Sequence, residues 1–213
     1  MSVHNDQIWE IDNLPNRLTI LRMILIPLVI GILYLSEFDF FLNLKPKLTV
    51  IACLFYFIAS VTDFFDGYIA RKRNLVTVFG SFLDPIADKF LVVSLLIFFG
   101  SIHTINVIVI IILVLREMYM TALRLMAYER ELKVPVSKLG KYKTAIQMLA
   151  LGFLMVDPSI VPFPNHLIGQ ILIYLACFFS LYSASKYTRT LIIRIKVKRR
   201  QKKKNYKEKE IKV

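Results

Sequence analysis

Long apolar segments alternate with short polar connections along most of the chain. Six of these segments approach or exceed the roughly 20 residues that a helix needs to cross the hydrocarbon core of a bilayer. They cover residues 18–36, 47–70, 80–100, 104–128, 139–157 and 164–190. The pattern predicts an all-α integral membrane protein built as a bundle of six transmembrane helices.

The two ends of the chain are more polar than the segments between them. Residues 1–13 mix apolar and acidic side chains, and we expect either a short interfacial helix or a loosely ordered arm there. Residues 195–213 are dominated by lysine and arginine, which predicts a basic tail that continues the last helix and frays. The predicted membrane domain therefore covers residues 14–194.

Basic residues are distributed unevenly among the connections. Residues 71–73, the stretch 130–143 and the chain from Lys186 onward are rich in lysine and arginine. In the alternate connections, near 37–46, 100–104 and 157–165, the only lysine or arginine is Lys45, and Lys47 lies at the edge of the first of them. Cytoplasmic loops of membrane proteins carry such an excess of positive charge. We therefore expect a multi-pass protein of the inner (plasma) membrane with both termini and the 71–79 loop in the cytoplasm.

The chain has 28 Lys and Arg against 15 Asp and Glu, a net charge of +13. Most of this excess lies in the tail, where it favours attraction to anionic membrane lipids. No aromatic-interleaved basic face or reader motif accompanies the charge, so we do not expect a nucleic-acid partner.

Four aspartates stand out within the second and third apolar segments. Asp63 and Asp66 are three residues apart, Asp84 and Asp88 are four apart, and residues 51–100 contain no other acidic residue. Both spacings place the two side chains on one face of a helix. The short connection makes the two helices antiparallel neighbours, so we expect the pairs to converge. Four carboxylates at membrane depth need compensating charge. Oxygen ligands favour two divalent cations, Mg²⁺ or Mn²⁺.

Small residues and an arginine flank these aspartates. Gly67, Ala70 and Gly80 allow either close packing of helices or close approach of a substrate. Arg71 offers a planar fork for a phosphate group, or contributes ordinary charge to a cytoplasmic loop.

The spacing Asp-x2-Asp-Gly-x2-Ala-Arg-x8-Gly-x3-Asp-x3-Asp, complete from Asp63 to Asp88, resembles the signature of the CDP-alcohol phosphatidyltransferases. The resemblance implies a six-helix membrane protein, usually a homodimer, with two divalent metal ions in a site facing the cytoplasm. Such enzymes transfer a phosphatidyl or similar group from a CDP-linked donor to an alcohol and release CMP. The resemblance also implies residue roles: metal ligands Asp63, Asp66, Asp84 and Asp88, general base Asp88, and a donor pocket of Gly67, Ala70, Arg71 and Gly80.

Residues 14–22 (LPNRLTILR) resemble the start of the first helix in the phosphatidylglycerophosphate synthase and cardiolipin synthase branches of that family. Asn16, Thr19 and Arg22 are spaced to share one helical face. By this resemblance Asn16 and Thr19 contact the nucleotide. Helix capping and anchoring at the membrane interface are the alternative interpretation of these two residues.

A second polar stretch bears on the acceptor alcohol. Arg116 and Glu117 are followed by Arg124, and Glu117 and Arg124 share a helical face that allows them to be neighbours. Downstream, residues 137–144 (SKLGKYKT) are rich in lysine, and Gly140, Thr144 and Gln147 form a polar stripe. This density of positive charge would attract a phosphate group, or it reflects the charge bias of cytoplasmic loops. The predicted acceptor-phosphate residues are Arg116, Arg124, Lys138, Lys141 and Lys143.

The SKxGKxKT string with Arg-Glu upstream resembles the phosphatidylglycerophosphate synthase branch in particular, whose acceptor is sn-glycerol 3-phosphate. We therefore expect phosphatidyl transfer from CDP-diacylglycerol to sn-glycerol 3-phosphate. Cardiolipin synthesis, or another acceptor, is the alternative within the family. A divalent-cation transporter is the alternative outside it, although the chain has no internal repeat of the kind that many transporters show.

Overall fold

A computed structural model describes the chain from Leu14 to Glu210, apart from residues 74–77, 131 and 133–137. For some of these residues only the backbone is described: 14–16, 63–73, 78–85, 88, 138, 139, 141, 202 and 204–210.

Helices account for almost all of the described chain, and no strand occurs among its residues. The six long helices are α1 (Leu14–Ser36), α2 (Lys45–Arg73), α3 (Val78–Ser101), α4 (Val107–Glu129), α5 (Lys138–Met155) and α6 (Asn165–Glu210). A short 3-10 helix, Asp39–Leu44, connects α1 to α2. Each predicted apolar segment corresponds to one of these helices, which confirms the all-α prediction.

Three helical stretches within the described chain are long and apolar enough to cross a membrane. They are Arg17–Ser36, Asp39–Thr62 and Asn165–Gln201. The protein is therefore a helical membrane protein, whereas six crossings remain a prediction.

The start of the fourth helix differs from the prediction, whereas the continuation of the last helix agrees with it. The fourth helix was expected from residue 104, but residues 102–106 form a turn in which His103 has a left-handed φ of 58°. The basic tail was expected to continue the last helix and fray, and α6 does continue into it, as far as Glu210. Neither glycine nor proline follows Gly169, and lysine, arginine and glutamate are good helix formers, which accounts for the continuation.

The described helices divide into two compact units. The first comprises Met1–Val107 and Met148–Leu172. In it α1 packs against α2 and α3. Its core includes the fully buried Val29, Ala52 and Leu151.

Two contacts hold helices of this first unit together at short range. Tyr56 donates its phenolic hydrogen to the backbone oxygen of Met148, at 2.8 Å. At Gly169 a Cβ atom would lie 2.6 Å from Cγ of Leu154 and 3.1 Å from a backbone oxygen, so only glycine fits this approach without displacement.

The second unit comprises Ile108–Gln147 and Ile173–Val213. Its core is a cluster from α4 and α6, in which Leu132 and Ile195 pack against five buried residues. The five are Met120, Ala127, Ala184, Tyr187 and Leu191.

A lysine of α6 also caps the end of α4 within this second unit. Lys198 donates from Nζ to the backbone oxygen of Arg130, directly after the last residue of α4. A cation is favourable at this end of a helix. The beginning of the basic C-terminal stretch is therefore attached to α4 by apolar packing and by this bond.

Candidate active site

The four aspartates of the signature lie on two consecutive helices. Asp63 and Asp66 belong to α2, and Asp84 and Asp88 belong to α3. Their side chains are outside the described residues, so convergence of the two pairs stays a prediction. The donor set itself, four carboxylates, suits hard divalent cations such as Mg²⁺ and Mn²⁺.

Several other predicted site residues also have side chains outside the described part of the structure. Their backbones lie in α1, α2, α3 or α5. These residues are Asn16, Gly67, Ala70, Arg71, Gly80, Lys138 and Lys141.

Thr19 and Arg22 lie together on the inward face of α1. Both side chains are fully buried, which agrees with the predicted shared helical face. A guanidinium removed from water needs compensating polar or anionic partners. Arg22 is thus built into the interior of its unit and is not simply a loop charge at the membrane surface.

Arg116 occupies a buried position near the middle of α4. Its side chain is 6% exposed, and it forms two hydrogen bonds of different kinds. Nε donates to the backbone oxygen of Ser180 at 3.0 Å, and Nη1 donates to Oε2 of Glu117 at 3.1 Å. The first bond fixes the direction of the guanidinium, and the second pairs it with a carboxylate.

Lys143, on α5, contacts the same glutamate. Its side chain is 5% exposed, and Nζ donates to Oε2 of Glu117 at 2.7 Å. We refer to Arg116, Glu117 and Lys143 as the Glu117 cluster. Two predicted acceptor residues, distant in sequence, are therefore brought together by a residue that was not predicted as part of the site.

Arg124 lies close enough to the Glu117 cluster to interact electrostatically with both Arg116 and Lys143. Its own side chain is exposed. The sequence suggested that Glu117 and Arg124 are neighbours, but the ion pairs described for Glu117 are with Arg116 and Lys143. The reason is that Lys143 and Arg116 are buried and require the carboxylate, whereas Arg124 can be hydrated.

The polar stripe predicted on α5 is only partly correct. Gln147 is buried, one turn beyond Lys143. Thr144 is exposed instead, and its hydroxyl donates to the backbone oxygen of Gly140 at 3.3 Å. The buried polar face of α5 is therefore formed by Lys143 and Gln147.

The Glu117 cluster has a surplus of positive charge and access to open space. Two cations share one carboxylate, and Arg124 adds a third positive charge nearby. Arg116 also lines a cavity of about 600 Å³ between α4 and α6, together with residues such as Tyr119 and Arg189. An arrangement of this kind can bind an anionic group, and a phosphate most strongly.

Sequence reasoning missed Glu117 as a site residue, although one signal was present. It is the only acidic residue in the apolar segment 104–128. An isolated carboxylate in such a segment indicates a buried cationic partner.

Comparisons with known proteins agree with the signature. Residues 12–182 match the family model described as CDP-alcohol phosphatidyltransferase. Three curated relatives bear the name CDP-diacylglycerol–glycerol-3-phosphate 3-phosphatidyltransferase. The relative from Rickettsia bellii is 38% identical, with 83% of this chain and 93% of the relative covered. The relative from Bacillus subtilis is 36% identical, with 82% of this chain and 93% of the relative covered. The relative from Haemophilus influenzae is 39% identical (82% and 91% covered).

Proposed function

The chain belongs to the CDP-alcohol phosphatidyltransferase family, and we propose that it transfers the phosphatidyl group of CDP-diacylglycerol to sn-glycerol 3-phosphate. The products are phosphatidylglycerophosphate and CMP. The names of the relatives support this donor and acceptor. The structural observation that carries the choice of acceptor is the Glu117 cluster, where two buried cations share one carboxylate and one of them, Arg116, lines a cavity.

The donor half of the proposed site rests on the signature. Asp63, Asp66, Asp84 and Asp88 would hold two divalent cations, Mg²⁺ or Mn²⁺. When bound, these ions would neutralise the diphosphate and stabilise the charge that develops on the departing CMP. The remaining signature residues and the start of α1 would form the nucleotide pocket, namely Asn16, Thr19, Gly67, Ala70, Arg71 and Gly80.

Asp88 would act as the general base of the transfer. Its carboxylate accepts the proton of the primary hydroxyl of sn-glycerol 3-phosphate. The hydroxyl oxygen forms a bond to the phosphorus that carries diacylglycerol. The bond from that phosphorus to the bridging oxygen breaks, and CMP leaves with the electron pair.

The acceptor half would be formed by basic residues of α4 and α5. A phosphate dianion is bound best by several cations, of which arginine supplies a planar fork and lysine a point charge. Arg116 and Lys143 provide two such groups at fixed positions, and Arg124 is nearby. Lys138 and Lys141 would complete the set.

The membrane arrangement follows from the same proposal. We expect six crossings of the inner membrane by a domain of residues 14–194, with both termini and the active site in the cytoplasm. Residues 1–13 would lie at the interface, and the basic stretch 195–213 would contact anionic lipids. The protein would act as a homodimer.

The test is release of CMP by purified protein in detergent with CDP-diacylglycerol and Mg²⁺. We expect release to require sn-glycerol 3-phosphate and to stop when EDTA removes the divalent cations. Asp88→Asn should abolish turnover but leave donor binding largely intact, because asparagine keeps an oxygen that can bind the metal ion but cannot take the hydroxyl proton. Release that requires phosphatidylglycerol instead would place the protein with the cardiolipin synthases. Metal flux across vesicles without CMP release would indicate a transporter.

A further inference from the structure

Glu117 takes no part in the chemistry proposed above, yet it joins two of the cations assigned to the acceptor. We propose that Glu117 is a positioning residue that holds Arg116 and Lys143 in the arrangement that binds the acceptor's phosphate group. This inference rests on the proposed function and identifies a residue on which recognition of the acceptor depends.

The first argument is geometric. A single oxygen, Oε2 of Glu117, accepts hydrogen bonds from Nζ of Lys143 at 2.7 Å and from Nη1 of Arg116 at 3.1 Å. Because both bonds end on the same oxygen, the two nitrogens lie no more than about 6 Å apart. Donors at that separation can bind oxygens of the same phosphate group. Glu117 therefore keeps the two nitrogens within a separation that one phosphate group can span.

The second argument concerns charge. Lys143 is almost completely buried, and two arginines, Arg116 and Arg124, repel it. A buried ammonium needs a paired anion to remain charged and in place. Glu117 is the acidic residue described in contact with it. Arg116 has additional support, because its Nε is bound to the backbone oxygen of Ser180. Loss of Glu117 should therefore affect Lys143 most.

An alternative role for Glu117, competition with the acceptor's phosphate group, predicts the opposite change in acceptor binding. If the carboxylate merely competed with the acceptor's phosphate for the two cations, removing its charge would strengthen binding of the acceptor. Positioning and competition therefore change the KM for sn-glycerol 3-phosphate in opposite directions.

The experiment compares Glu117→Gln with wild type in the CMP-release assay. We expect the KM for sn-glycerol 3-phosphate to rise at least tenfold, while the KM for CDP-diacylglycerol stays within twofold. Because KM does not depend on the folded fraction, a loss of stability alone would not produce this result. Glu117→Asp keeps the charge on a shorter side chain and should recover part of the loss. Glu129→Gln, at the exposed end of α4, is the matched control and should behave as wild type.

A double-mutant cycle with Lys143→Gln tests the mechanism. If Glu117 acts through Lys143, the KM of the double variant for sn-glycerol 3-phosphate should be less than twofold higher than that of Lys143→Gln alone. An unchanged or lower KM in Glu117→Gln, or additive effects in the double variant, would overturn the positioning role. Failure of the proposed function is recognised separately, in wild type alone, as CMP release that does not require sn-glycerol 3-phosphate.

Discussion

Two glutamate–cation groups, one in each unit of the molecule, show how burial changes the meaning of a salt bridge. In the first unit Glu37 pairs with Lys45 at 2.9 Å, with side chains 31% and 33% exposed. In the second unit Glu117 is nearly as exposed as Glu37, at 28%, but its partners Arg116 and Lys143 are only 6% and 5% exposed. The difference between the two groups therefore lies in the cations.

The comparison indicates where a charge is structurally required. Lys45 can exchange its partner for water, so its pair with Glu37 contributes little. Lys143 has no such option, and the desolvation of its ammonium is compensated by Glu117. Replacing buried ion pairs with well-packed apolar residues is often neutral or stabilising, so stability alone does not explain two cations buried around one carboxylate. We interpret the Glu117 cluster as a feature retained for binding an anion.

The largest expected difference between the two groups is in activity. Lys143→Gln should lower kcat/KM for sn-glycerol 3-phosphate by about 100-fold, because a buried charge that would contact the phosphate is lost. Lys45→Gln should leave kcat/KM unchanged, since Lys45 belongs to the other group. Steady-state CMP release with both variants checks this. Equal activities for the two variants would end the assignment of Lys143 to the acceptor site.

The second difference is in stability. Glu117→Ala leaves two buried cations without their anion and should lower the free energy of unfolding by about 3 kcal/mol. Glu37→Ala removes an exposed pair and should cost less than about 1 kcal/mol. Denaturant-induced unfolding in the same detergent measures both. Similar losses for the two alanine variants would show that burial of the cations does not distinguish the groups.

The third difference is in response to salt. Raising the ionic strength shortens the Debye length from about 10 Å at 0.1 M to about 3 Å at 1 M, which weakens exposed pairs most. The coupling energy of Glu37 with Lys45, from a double-mutant cycle, should therefore fall towards zero. The coupling of Glu117 with Lys143 should change little. Equal salt dependence would mean that water reaches both pairs to the same extent.

The smallest expected effect concerns pH and Asp157, in the connection after α5. Partial burial raises the pKa of Asp157, but hydrogen bonds from the Ser159 hydroxyl and backbone N–H, with help from Lys45 and His166, outweigh it and lower the pKa overall. A lowered pKa gives stability that is present above the unfolded-state value, about 3.9, and is lost as pH falls through the folded-state value.

Asp157→Asn should therefore lower the unfolding midpoint at pH 7 by less than about 2 °C, because the carboxylate is only partly buried and water screens its interactions. The difference from wild type should be smaller at pH 3 than at pH 7, because the stability that the carboxylate contributes is lost as it becomes protonated. Thermal scans at the two pH values test this. A larger difference at pH 3 than at pH 7 would reverse the assigned sign.

The helices could be predicted from the sequence because each apolar segment is long and bounded by polar residues. Proline at Pro15 marks the first turn of α1, and short polar connections separate the other helices. The end of α6 was less predictable. Hydropathy reports where a helix leaves the membrane but not where it stops, and the packing of Leu132 and Ile195 depends on tertiary structure.

Some features of the candidate site could likewise be predicted from the sequence, and others could not. The aspartate signature and the buried face shared by Thr19 and Arg22 follow from local helical spacing. The pairing of Lys143 with Glu117 joins residues 26 positions apart on different helices, and no local pattern specifies it. Local spacing also favoured Arg124 as the neighbour of Glu117, but the need to neutralise a buried lysine decided the partner.

The most direct test of the central claim is the identity of the lipid product. Purified protein would be incubated with CDP-diacylglycerol, Mg²⁺ and isotopically labelled sn-glycerol 3-phosphate, and the lipid phase would be analysed by mass spectrometry. We expect labelled phosphatidylglycerophosphate in amounts equal to the CMP released. Release of CMP without label in the lipid phase would contradict the proposed function.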